Sequence, residues 1–249
     1  MRKGMCELMD TVKLEKKQVK MIAHRGLSGI ERENTNAAFV AAGNRSYFGI
    51  ETDVHKTADG RFVILHDETT LRVTEGAVDI DVEQQPYSAV ADLCLPDRTG
   101  RIRKDLKIPL LDEYIRICKQ YEKICVLELK NAFTREDLVQ IVSIIRQEGY
   151  LEQVIFISFV LENCTIIREL LPQQPVQWLL KEEITDEILE TLCRYHLDVD
   201  NYYRCLNEAS IAKLHERDIL VNCWTCDDPA EAEVLIRAGI DQITSNILE

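Results

Sequence analysis

Seven residues along this 249-residue chain have the types and spacing to do chemistry together: His24, Arg25, Glu51, Asp53, His66, Glu128 and Lys130. Glu51 and Asp53 stand two apart, so on a strand their side chains leave from one face. Glu128 closes another apolar run. Three carboxylates meeting at one place repel and raise one another's pKa unless a cation stands among them. An all-oxygen ligand set suits a hard divalent cation, Mg2+ or Ca2+. The same acids could instead form ion pairs with Arg and Lys at the mouth of a cleft. His24 and His66 are two of five histidines, and each closes an apolar run. Imidazoles titrate near neutrality, so two of them beside carboxylates suit a general base and a general acid at a phosphoryl centre, where a lone one would be read as structural. The planar fork of Arg25 suits two phosphate oxygens, and Lys130, two residues after Glu128, offers a point charge from the same face. Either cation suits a neighbouring carboxylate equally well. Trp224 ends a further run and is either a wall for the organic part of a ligand or barrel packing.

These residues need strands that end at a common rim. Short apolar runs at Val19–Ala23, Phe48–Asp53, Ile124–Glu128, Val154–Ser158, Val176–Leu179, Leu197–Asp200, Ile219–Trp224 and Gln242–Thr244 read as strands, several continuous enough to be buried on both faces. Helical patterns fall between them, at Asn34–Ala42, Leu110–Gln120, Arg135–Glu148, Leu161–Leu170, Asp186–Tyr195, Asn207–Glu216 and Pro229–Ala238. Thr134 with Asp137 reads as a capping box, Asp228-Pro229 as a helix start, and Gly149 and Gly239 as stops. Eight strands in repeated β-α units predict an α/β fold of the TIM (β/α)8 type, whose active sites lie at the C-terminal ends of the strands. A doubly wound open sheet is the alternative, but no G-x-G-x-x-G follows the first strand. Residues 1–18 are expected to be an N-terminal helical segment and 19–249 the barrel domain. Residues 68–107, polar and with Gly76, Pro86, Pro96 and Gly100, read as a small irregular insertion near the C-terminal mouth.

The stretch IETDVHKTADGRFVILHDE, from Ile50 to Glu68, reads as a hairpin turning at Asp59-Gly60. A two-residue loop there pairs Ala58 with Arg61 and, counting outward, Asp53 with His66. The ribbon is expected to stand off the mouth and not to supply a ninth parallel strand.

Composition narrows the partners. A net charge of −13 argues against nucleic acid and anionic lipid surfaces, so an anionic substrate needs a cation or a few placed Arg and Lys. The apolar fraction of 46% supports a sizeable core. Nine scattered cysteines, an odd number, read as reduced and mostly buried thiols; Cys223 and Cys226 have C-x-x-C spacing without a second pair. The N-terminus has no apolar signal region and no window reaches the roughly 18 apolar residues of a membrane span, so a soluble, cytoplasmic protein is expected.

An ordered set of motifs resembles the glycerophosphodiester phosphodiesterase family. It comprises His24-Arg25-Gly26, Glu33-Asn34-Thr35 with Ala38-Phe39, Glu51-Thr52-Asp53-Val54, Asp59-Gly60, His66-Asp67, Ile108-Pro109 with Leu111-Asp112-Glu113, Glu128-Leu129-Lys130, Ser158-Phe159, Trp224-Thr225, and Gly239-Ile240-Asp241 with Ile243-Thr244. The resemblance runs from about Lys20 to Asn246 and implies a TIM barrel. It implies one divalent cation held by Glu51, Asp53 and Glu128, acid–base catalysis by His24 and His66, and phosphate binding by Arg25 and Lys130. Glu33 and Asn34 would support the site at close range. The implied reaction is hydrolysis of a small-molecule glycerophosphodiester to sn-glycerol 3-phosphate and an alcohol. A related barrel acting on lysophospholipids would need an apolar groove, for which Tyr87, Val90, Leu93 and Leu95 are candidates; a catalytically silent binding barrel would have lost some of these residues, and none is lost. Two positions depart from the family pattern. Arg32 stands where Pro is usual, and Thr244-Ser245-Asn246 replaces a T-D-x-P ending. Both are expected to lie clear of the catalytic set.

Overall fold

A computed structural model describes residues 10–249. The strands are β1 (Lys20–Ala23), β2 (Gly49–Lys56), β3 (Phe62–Ile64), β4 (Ile124–Leu129), β5 (Val154–Ser158), β6 (Val176–Leu180), β7 (Asp198–Tyr202), β8 (Val221–Trp224) and β9 (Gln242–Ser245). Eight of them run parallel in the order β1-β9-β8-β7-β6-β5-β4-β2, and β1 pairs with β2 to close the barrel. In that ring β7 lies four strands from β2 in either direction, so the two face each other across the mouth. Helices α1 (Asn36–Gly43), α2 (Leu111–Gln120), α3 (Arg135–Gln147), α4 (Leu161–Leu170), α5 (Asp186–Tyr195), α6 (Glu208–His215) and α7 (Pro229–Arg237) fill the intervals.

The barrel forms because its strands bury both faces. Outward-pointing Ile50, Leu127, Phe156, Val199 and Ile243 pack under the helices. Inward-pointing Ile22, Val126, Ile155, Ile157 and Leu179 fill the interior. Toward β8 and β9 the interior turns polar: Gln177 Nε2 donates to Gln242 Oε1 at 2.9 Å, and Asn222 Nδ2 reaches Gln177 and Thr244 at 3.3 Å each. Helix ends follow their expected signals. Thr134 Oγ1 accepts from Asp137 N while Asp137 answers Thr134 N, and Asp228 caps the helix that Pro229 opens. Gly149 and Gly239 take the left-handed conformation that stops a helix. The helix expected from Asn34 starts two residues later, because Thr35 is its N-cap.

The insertion carries little regular structure, as its composition implies: one short 3-10 turn at Tyr87–Ala89 and isolated bridges at Thr69–Asp81 and Pro96–Ile102. It is nevertheless packed, with Val73, Val82, Val90, Leu95 and Leu106 burying against Val63 and Leu65 of the ribbon. Part of the expected N-terminal helix falls on residues 1–9, outside the described residues. Residues 10–18 contain no helix; Val12 bridges Leu248 in parallel, and Leu14 N donates to Glu249 O. A run as polar as KLEKKQ has no apolar stripe to bury as a helix. Among the described residues, no helix is long and apolar enough to cross a membrane.

Candidate active site

The C-terminal rim gathers the predicted residues, but the hairpin does so in a different register. β2 and β3 pair Val54 with Ile64, His55 with Val63 and Lys56 with Phe62, so the loop has three residues, not two. Thr57 N donates to Arg61 O, Gly60 N donates to Thr57 O, and Gly60 adopts φ +79. That is a type I turn closed by a left-handed glycine. The Thr57 hydroxyl selects it, donating to Asp59 Oδ1 at 2.5 Å and accepting from Arg61 N at 2.9 Å. Asp53 therefore opposes Leu65, whose N–H donates to Asp53 O at 3.1 Å; the expected Asp53–His66 pair is corrected by one residue. His66 still reaches the site because it lies past the end of β3, where the chain leaves the sheet. The ribbon runs antiparallel to β2, as expected of a hairpin and not of a ninth barrel strand.

Glu51 and Asp53 point into the mouth from β2, and Glu128 sits level with Asp53 on the neighbouring β4. All three are buried, and one oxygen from each lies within 4.8 Å of the other two. Among the described residues this is the one group of acids, histidines or cysteines arranged to hold a metal ion. Lys130 Nζ lies 2.8 Å from Glu128 Oε1 and 3.4 Å from Asp53 Oδ1. Asn34 Nδ2 donates to Asp53 Oδ2 at 2.7 Å, and the Thr52 hydroxyl fixes the other end of that amide at 2.8 Å. Asp53 Oδ1 nevertheless makes no hydrogen bond. Burial works against ionisation of Asp53, but Lys130 and Arg25 hold its carboxyl well below the usual range. Glu128 goes the other way: burial, with Asp53 adding, pushes it up to about 7. Burial followed by Asp53 and Glu128 likewise raises Glu51.

The His24-Arg25-Gly26 segment is bent to serve this cluster. Arg25 takes φ +52 and Gly26 φ +72; a Cβ on Gly26 would sit 2.7 Å from the Ala38 backbone. The bend lets Arg25 N donate to Glu51 Oε2 at 2.8 Å and Gly26 N donate to Glu51 O. The Arg25 side chain donates to Glu33 Oε1 at 2.9 Å, while its Nε, 3.6 Å from Asp53 Oδ2, is buried without a hydrogen bond. His24 Nδ1 lies 2.8 Å from Asn246 Oδ1, an oxygen that also accepts from the Ser28 hydroxyl. Asn246 Nδ2 donates to Asp227, so the amide is oriented and His24 carries its proton on Nδ1. His24 Nε2 is thus an acceptor, 4.0 Å from Glu51 Oε2. Burial, with the Arg25 charge adding, lowers His24 to about 4.

His66 has a different setting. Its Nδ1 lies 2.6 Å from Asp67 Oδ1. Arg72 clamps that carboxylate with Nε at 2.6 Å and Nη2 at 3.1 Å, and grips Glu33 with the other edge of its guanidinium at 2.8 and 2.9 Å. Burial opposes ionisation of Glu33, but Arg72 and Arg25 bring it to about 2. One arginine from the insertion thereby ties the support of His66 to the support of Arg25.

Four site residues escaped the sequence reading. Arg72 lies five residues after Asp67, a spacing with no strand or helix logic in an irregular segment. His55 is fully buried and puts Nε2 3.2 Å from His66 O and Nδ1 2.8 Å from Glu83 Oε1. Its place two residues beyond Asp53 was a usable signal. Asn246 corrects the expectation that the C-terminal departure lies clear of the catalytic set, since it orients His24. Arg32, the other departure, donates to Pro96 O and Glu75 and so binds the insertion. Asp200 repeats in Asp198-Val199-Asp200 the acid-x-acid spacing that Glu51-Thr52-Asp53 uses on the opposite strand. A cavity of about 80 Å3 opens among His24, Arg25, Glu51, His66 and Glu128 on one side and Asp200 on the other. Trp224 lines it, edge-on to Phe159 with centroids 5.5 Å apart.

Comparison with known proteins identifies the family and the fold. The profile of the Glycerophosphoryl diester phosphodiesterase family matches residues 24–248. A glycerophosphodiester phosphodiesterase of Bacillus subtilis is 24% identical over 242 residues, covering 90% of this chain and 82% of its own. One of Caldanaerobacter subterraneus is 25% identical over 228 residues, covering 91% and 93%. Among solved structures, an Oleispira antarctica phosphodiesterase in complex with the product sn-glycerol-3-phosphate superposes with a TM-score of 0.83 at 24% identity, over 92% of this chain and 93% of that one.

Proposed function

The chain belongs to the glycerophosphoryl diester phosphodiesterase family, and from that premise we propose that it hydrolyses small glycerophosphodiesters to sn-glycerol 3-phosphate and an alcohol, with one divalent cation, Mg2+ or Ca2+, held by Glu51, Asp53 and Glu128. The observation that carries this reading is the buried carboxylate trio, in which Asp53 Oδ1 makes no hydrogen bond. Oxygen donors alone suit a hard cation. Burial and the neighbouring carboxylates raise Glu51 and push Glu128 up to about 7, and positive charge beyond Arg25 and Lys130 would favour the ionised form of both. A cation bound there would stabilise charge developing on the phosphoryl oxygens.

The remaining roles follow from each side chain's surroundings. Arg25 and Lys130 face the cluster with donors to spare and bind the phosphoryl oxygens. Glu33 and Asn34 hold Arg25 and Asp53 in place. His24, neutral and with Nε2 free of its proton, is the acceptor in proton transfer. Burial lowers the His66 pKa and Asp53 works against that shift; with Nδ1 held by the Asp67 carboxylate, His66 is the proton donor. Residues 19–249 act as one catalytic unit, with the 68–107 insertion contributing Arg72 and Glu83 to the support of His66.

The lysophospholipid reading needs an exposed apolar groove at the mouth. Val90 and Leu95 are buried in the insertion's own core, with Tyr87 and Leu93 packed against it, so these residues offer none. Purified protein with Mg2+ or Ca2+ is expected to release sn-glycerol 3-phosphate from glycerophosphocholine at least about tenfold faster, by kcat/KM, than it releases choline from lysophosphatidylcholine; losing an apolar groove for an acyl chain is worth at least this much. A preference for the lysophospholipid would reverse the assignment.

A further inference from the structure

Asp200, the middle residue of β7, is fully buried, and its carboxyl forms no hydrogen bond with any described residue, Oδ1 being left without a partner. Buried polar groups are nearly always paired, so an unpaired one that lines a cavity marks the place of an absent partner. Asp200 is no part of the metal-holding trio, whose oxygens cluster within 4.8 Å on β2 and β4. It faces that trio from the opposite strand of the barrel. Burial first, and Glu128 second, raises its carboxyl well above the ordinary range, and its free oxygen is an acceptor for a donor entering the cavity.

Two spaces meet at His24 and Arg25. One is an open polar groove of about 470 Å3 lined by Ser28, Gly29, Arg98 and Asp227. The other is the 80 Å3 cavity, whose walls between the phosphoryl side and Asp200 are Ile157, Leu179, Phe159 and Trp224. A diester bound through Arg25 and Lys130 puts one arm into each. The alcohol arm varies among substrates and fits the open groove. The glyceryl arm is constant, has three carbons to lay on an apolar wall, and ends in a hydroxyl. One water needs about 10–15 Å3 of such space, so the smaller cavity holds several water-sized groups, enough for that arm and too few for a long acyl chain.

We propose that Asp200 is a specificity-determining residue that hydrogen-bonds the terminal hydroxyl of the substrate's glyceryl arm inside the smaller cavity, restricting the enzyme to diesters whose glycerol is unesterified. This rests on the phosphodiesterase reading above. An ester at that hydroxyl removes the donor and adds a chain that the cavity cannot hold.

The test compares glycerophosphocholine with 2-hydroxypropylphosphocholine, which lacks only the terminal hydroxyl, in wild type and in Asp200→Leu and Asp200→Asn. Wild type is expected to prefer glycerophosphocholine in kcat/KM by roughly 10- to 100-fold, the worth of one hydrogen bond at a buried group. In Asp200→Leu that preference collapses toward one while cleavage of the hydroxypropyl analogue persists; near-isosteric Asp200→Asn retains part of it. Calorimetric binding of sn-glycerol 3-phosphate against 2-hydroxypropyl phosphate gives the same comparison without turnover and covers a variant that folds but reacts slowly. Equal losses on both substrates, or an undiminished preference in Asp200→Leu, would overturn the assignment of Asp200. Failure of wild type to cleave either diester would instead remove the phosphodiesterase reading on which it rests.

Discussion

His66→Ala is expected to lower kcat on glycerophosphocholine by about 10^2- to 10^4-fold, the range of a positioned proton-transfer group, with little change in KM. His66 is held from three sides: Asp67 Oδ1 at its Nδ1, Arg72 behind Asp67, and His55 at its carbonyl. Its Nε2 is left for the substrate. The truncation opens no core, because the imidazole is partly exposed and Asp67 keeps its two hydrogen bonds from Arg72. The melting temperature should therefore stay close to wild type. If His66 donates the proton to the departing alcohol, a diester with a p-nitrophenolate leaving group should lose much less, since that group departs without protonation. Equal losses on the two substrates would show that His66 does something other than donate.

The second large effect is expected from Asp53→Asn. Asp53 is fully buried between Arg25, Lys130 and Asn34, and is the one member of the trio held ionised by its surroundings. The amide keeps the size of the side chain and an acceptor for Asn34 but removes the charge. Mg2+ or Ca2+ binding, read by calorimetric titration, should fall below detection, and kcat/KM should fall by at least about 10^3-fold, several kcal/mol of lost charge stabilisation. Stability should fall as well, since breaking a buried ion pair costs about 3–5 kcal/mol when the partner is left uncompensated; here Glu33 and Glu128 limit that loss. Unchanged cation binding in Asp53→Asn would move the cation away from the trio.

Much of the fold was legible because it depends on runs of residues. Strands buried on both faces write continuous apolar runs, and β5 and helices α4 and α5 fall on the expected residues. The trio was legible because side chains alternate on β2 and because β4 is its immediate neighbour. What the sequence hid depends on single atoms. The hairpin register turned on the Thr57 hydroxyl and the left-handed Gly60, which added one residue to the loop. Arg72 works through an irregular segment whose path no periodicity describes. Asn246 lies next to His24 only because β9 pairs with β1, a contact between the two ends of the chain. Asp200 showed its spacing, but its relation to Glu51 is a property of the closed ring and not of either strand alone.

The most direct test of the account is the release of sn-glycerol 3-phosphate from glycerophosphocholine by the purified wild-type protein before EDTA, after EDTA, and after excess Mg2+ or Ca2+ is restored. The carboxylate trio predicts release that stops with the chelator and returns with the cation. Release that continues undiminished in EDTA, or no release with either cation present, would contradict it.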